Sequence, residues 1–175
     1  SKELSEYTDQ YLSANGALQH LHQEYYRKNV DLVYGQLQRM LHDKEKFGKS
    51  AFDIGGGLDR LQKLDVQYSQ ERLKLLNVIK LTKEYQKNQL KQALESESIC
   101  SKDHEMLQHD IKEADISILD SKLDILAEEE ALLKKKLLII EKLNNDSNNC
   151  EEFFDALEDI DGNSHVENVN RKSDS

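Results

Sequence analysis

No proline occurs anywhere in this 175-residue chain. Proline costs about 3 kcal/mol inside a helix and also bends the preceding residue out of helical space, so its absence removes the commonest helix stop. Tryptophan is also missing and phenylalanine occurs four times, which argues against one thick globular core. No apolar run approaches the roughly 18 residues that would suggest a bilayer-spanning helix. Only two cysteines occur, Cys100 and Cys150. They are far apart and lack paired-ligand spacing, so they read as reduced thiols in a cytoplasmic protein. Of the seven glycines, three fall together at Gly55, Gly56 and Gly57. At roughly 1 kcal/mol each relative to alanine, this run is where a helix should break.

A third of the residues are charged and mean hydropathy is −0.78, while Leu, Ile, Val and Phe still make up about a quarter of the chain, enough for ordered structure. That balance fits apolar stripes flanked by solvated faces. The net charge of −10 speaks against nucleic acid as a partner and weighs against an anionic membrane.

Apolar spacing supplies the organisation. Leu4, Tyr7, Tyr11, Ala14, Leu18, Leu21 and Tyr25 alternate steps of three and four, the a/d seam of a heptad repeat. Beyond Tyr25 the phase changes to Val30, Val33, Leu37 and Met40 or Leu41, which reads as a stutter in one continuing helix. The spacing predicts a first helix over 2–54, a reversal at 55–57 and a second helix over 58–143. The polar cluster at 96–103 marks a kink or loop in that second helix. Its strongest seam runs through Leu119, Leu123, Leu126, Leu133, Leu137 and Ile140, with Glu130 at one core position. The asparagine-rich stretch after Leu143 predicts an acidic, polar and largely disordered tail over 144–175. The expected fold is all-α: an elongated coiled coil with an antiparallel helical hairpin, forming a dimer or joining a heteromeric bundle.

Chemistry is sparse. Asp159, Asp161 and Asn163 imitate the start of a calcium loop, but Gly162 falls at the fourth position, where such a loop needs glycine at the sixth. No pair of histidines has the i, i+4 spacing of a zinc helix. The glycine run lacks the Lys-Ser/Thr of a phosphate loop. These patterns indicate no catalytic residues, no metal and no cofactor. The clearest electrostatic signal lies between Arg60 and Lys91, where eight basic residues face three acidic ones. Lys80, Lys83, Lys87 and Lys91 fall on one helical stripe. It reads either as a solvated flank or as a docking strip for an acidic partner such as a microtubule.

The run Leu126-Ala127-Glu128-Glu129-Glu130-Ala131-Leu132-Leu133-Lys134-Lys135-Lys136-Leu137, then Ile139-Ile140-Glu141-Lys142-Leu143, precedes Glu152-Phe153-Phe154-Asp155-Ala156 and Glu158-Asp159. It resembles the end of the coiled-coil region of the WHAMM/JMY family of actin nucleation-promoting factors. The resemblance implies a helical segment ahead of a proline-rich, actin-binding tail, one that contacts microtubules or membrane-associated partners. Residues 163–175 carry neither the proline-rich segment nor the basic actin-binding motifs, so actin assembly is not implied for this chain. The resulting expectation is a non-enzymatic interaction module of a cytoskeletal or trafficking protein, partnered by itself or by another coiled-coil protein. The alternatives are a subunit of a heteromeric helical assembly, at a kinetochore, spindle pole or tethering complex, and a BAR-like membrane dimer.

Overall fold

A computed structural model describes residues 2–95 and 101–170. Four helices succeed one another: α1 (Lys2–Phe47), α2 (Lys49–Ile54), α3 (Gly57–Leu94) and α4 (Ser101–Asn170). The fold is all-α, with no strand among the described residues. The chain divides into two compact units, Ser1–Lys135 and Lys136–Ser175.

In the first unit α1 and α3 form the expected antiparallel hairpin. The Tyr85 hydroxyl donates to the Leu12 carbonyl at 3.2 Å. Farther toward the turn, the Tyr34 and Tyr68 rings meet at 5.5 Å between centroids. Val33 and Leu37 are buried on α1, so the phase that begins at Val30 is the one packed on α3. Upstream, the positions in register with it are Leu12, Gly16, Gln19, Gln23 and Tyr26, all half-buried. The 3,4 spacing of the inner face is therefore unbroken from Leu12 to Met40. The change of phase after Tyr25 is not a stutter but a passage between two faces of one continuous helix.

The first helix is shorter than the 2–54 span expected. Gly48 adopts φ 79°, a conformation that disfavours any residue with a Cβ, and the six-residue α2 comes directly after it. The reversal is then completed by Gly55 and by Gly56, which is left-handed at φ 69°. Gly57 is buried as the first residue of α3. Where a single second helix was expected over 58–143, α3 ends at Leu94 and α4 begins at Ser101, running back antiparallel to α3. Most of the break expected near 96–103 lies outside the described residues.

Gly16 and Gly35 lie within α1 with open space where a Cβ would stand. Gly16→Ala and Gly35→Ala should each raise stability by about 0.5–1 kcal/mol, because alanine restores helix propensity at no steric cost. A higher urea midpoint at unchanged slope is the expected result.

In the second unit the backbone of α4 stays helical to Asn170, through the stretch where a disordered tail was expected from residue 144. Asparagine and serine cost a helix at most about 0.7 kcal/mol each. Neither proline nor glycine falls between Gly57 and Gly162. Residues 171–175 lie outside the described part of the chain.

Candidate functional site

Two polar clusters hold α3 against α4. The Lys83 ammonium donates to the Ser121 hydroxyl at 2.7 Å and to the Ser117 carbonyl at 3.1 Å. The Lys135 ammonium, reaching the other way, donates to the Ser69 hydroxyl and to the Asp65 carboxylate, both at 2.8 Å. Each lysine thus engages a serine and a second group four residues before it on the facing helix, once in each direction. Ser69 is fully buried and Ser121 nearly so, so a small side chain at each point lets the helices approach and leaves room for the lysine stem. Arg72 pairs with Glu128 at 3.2 Å, and Lys87 pairs with Asp115. Alongside these contacts, Ile118, Ile125 and Leu132 bury a strict seven-residue repeat on α4.

These contacts redefine the basic stripe. Lys83 and Lys87 are directed at α4 and partly buried, so they satisfy the neighbouring helix. Lys80 is half-buried and Lys91 is exposed. Helical spacing correctly places the four lysines on one stripe, but that spacing cannot tell a solvent face from a face covered by a third helix. The two serine clusters were not singled out from the sequence. Their signal is the phase Ile118, Ser121, Ile125, Glu128 and Leu132, a 3,4 seam with polar residues at alternate steps.

The candidate seam residues lie on outward faces of the first unit. On α1, Tyr7, Tyr11, Leu18 and Leu21 are exposed, and the side chain of Leu4 is outside the described set. On α4, Leu119, Leu123, Leu126 and Leu133 are between 57% and 65% exposed, and Ile116 continues the spacing at 61%. In the second unit Leu137 and Ile140 are also exposed. α4 therefore carries two heptad seams on opposite faces, and the one with more leucine is turned to water. Glu130 is on the outward seam and takes a hydrogen bond from Lys134 one turn on. That ammonium holds the Glu130 carboxyl below its ordinary value.

Among the described residues no cluster of His, Cys, Asp or Glu could hold a metal ion, and no helix is long and apolar enough to cross a membrane. The side chains of Asp159, Asp161 and Asn163 lie outside the described set. The glycine run is a turn between helices, with the Gly56 N–H donating to the Asp53 carbonyl at 2.9 Å. What the first unit offers chemically is surface: long apolar stripes edged by charge.

A family model described as junction-mediating and -regulatory protein matches residues 1–164, far more of the chain than the stretch that carries the resemblance in sequence. The mouse protein named WASP homolog-associated protein with actin, membranes and microtubules is 25% identical over 134 residues. The alignment covers 75% of this chain but 17% of that relative, so the chain corresponds to a minor part of its length. No solved structure matches significantly. With the family match spanning all of the first unit and most of the second, the chain belongs to the JMY family of junction-mediating and -regulatory proteins.

Proposed function

We propose that this segment is a non-enzymatic interaction scaffold within an actin-regulating, cytoskeleton-associated protein. The observation that carries the reading is the pair of outward apolar stripes on α1 and α4, held on a polar-pinned three-helix frame. Monomeric soluble proteins rarely expose contiguous apolar surface of that extent, and where they do it commonly marks a binding face. A scaffold needs a rigid frame and an accessible face more than it needs a pocket.

Docking on a microtubule is the finer part of the proposal. Its support is the local basic excess in an acidic chain, together with the mouse relative's name, which includes microtubules. With Lys83 and Lys87 engaged by α4, the contact falls to Lys80 and Lys91. Co-sedimentation with microtubules across a salt series tests it. The pair Lys80→Glu and Lys91→Glu should weaken binding several-fold and flatten its salt dependence. Reversal of Lys28 and Lys46 on α1 should have little effect. No binding at low salt, or equal loss from both pairs, would remove the docking strip and leave the apolar stripes as the functional surface.

A further inference from the structure

The outward seam of α4 has the apolar spacing of a coiled coil, and its charges select an occupant. In the first unit its core positions are Ile116, Leu119, Leu123, Leu126, Glu130 and Leu133, alternating steps of three and four. Glu113, Lys122, Glu129 and Lys134 flank them and are exposed, the places from which charged side chains set partner and orientation in a two-stranded coiled coil.

We infer that this face docks antiparallel on the same face of a second copy of the chain, with Lys122 of each copy opposite Glu129 of the other. In that register Ile116 meets Leu133, Leu123 meets Leu126, and Glu130 meets Leu119 rather than another acid. The second flank then sets Glu113 against Lys134. Each of these charge pairs occurs twice through the two-fold axis, as a self-complementary interface requires. A parallel, in-register pair keeps attraction between Glu129 and Lys134, but it stacks Glu130 on Glu130 within the seam and faces Lys122 with Ala127. Like charges in a core layer are a known device against an unwanted pairing. The contact runs about 26 Å, or 17 residue steps at 1.5 Å, so a dimer of about micromolar affinity is expected rather than an obligate one.

This deepens the scaffold reading by naming partner, face and register, and it rests on that reading. The test is sedimentation equilibrium of the whole chain over a concentration series, with reductant present so that Cys100 and Cys150 cannot cross-link copies. Wild type should approach twice the 20.3 kDa chain mass. Leu123→Asp with Leu126→Asp should return the monomer at unchanged helicity, since both side chains point outward. Lys122→Glu should weaken the dimer about tenfold, because two attractive contacts become repulsive. Adding Glu129→Lys to it should restore affinity.

A wild type that is monomeric throughout overturns the inference, as does a dimer indifferent to the Leu123 and Leu126 changes, which would point to the α1 stripe. A charge-swapped double variant that stays weak overturns the antiparallel register. The swap alters only exposed charges, so it keeps the test open if the aspartate variant fails to fold. Microtubule binding by a monomeric chain would remove the dimer and leave the docking proposal standing.

Discussion

Ser69→Leu should destabilise the first unit by about 2–4 kcal/mol, the larger of the two effects expected from single substitutions in the frame. Ser69 is fully buried, and its hydroxyl accepts from Lys135 at 2.8 Å. A leucine there must displace α4 or adopt a strained rotamer, which costs about 1–3 kcal/mol. It also removes one acceptor of a partly buried ammonium, adding about 1–3 kcal/mol less whatever Asp65 recovers. Ser69→Ala isolates the second effect and should cost about 1–2 kcal/mol. Leu123→Ser, on the exposed face, should stay within about 0.5 kcal/mol. Chemical denaturation at low protein concentration, where any association is absent, gives all three values. A neutral Ser69→Leu would mean that α3 and α4 are not in close contact at this point.

The contrast between Ser69 and Leu123 shows how much of the fold was legible. Helix type, the reversal at the glycines and the antiparallel hairpin come from spacing and propensity, which are local. Which stripe is buried is a tertiary choice, and here two stripes competed on each of two helices. On α1 the inner face contributes Gly16, Gln19 and Gln23, so its N-terminal half has less apolar character than the outward run of tyrosine and leucine. On α4 the buried phase is interrupted by Ser121, Glu128 and Lys135, each engaged by α3. Reading by hydrophobicity selects the more apolar stripe in both cases. The buried polar residues become intelligible once Lys83 and Arg72 are known to face them.

The family assignment was legible for a similar reason of locality. The leucine-glutamate run followed by Phe153-Phe154-Asp155-Ala156 carried the resemblance, whereas the first hundred residues offered only seams shared by many helical proteins. The basic stripe shows the limit of local spacing from the other side. Lys80, Lys83, Lys87 and Lys91 are correctly placed on one stripe, but the helix that accepts Lys83 and Lys87 begins only at Ser101 and returns antiparallel. A two-helix reading has nothing to place there.

The glycine run provides a second large effect, because three neighbouring glycines should respond differently to one substitution. Gly57→Ala should cost about 1–3 kcal/mol: its new Cβ would lie 2.6 Å from the Phe52 carbonyl oxygen and 2.7 Å from the Phe52 ring. A ring can rotate, but a carbonyl fixed in the preceding turn cannot move without opening the hairpin. Gly56→Ala should cost about 1–2 kcal/mol for a different reason, since φ 69° places an L side chain in the left-handed region with nothing else in its way. Gly55→Ala should be neutral or stabilising by up to about 1 kcal/mol. Its φ of −78° suits any residue, its nearest contact is an ordinary 3.7 Å, and alanine restricts the unfolded chain. Thermal melts of the three variants should therefore fall in the order Gly55→Ala above wild type or level with it, then Gly56→Ala, then Gly57→Ala. Equal melting for the Gly55 and Gly57 variants would show that α3 does not start packed against Phe52, and the placement of the hairpin turn would have to be redrawn.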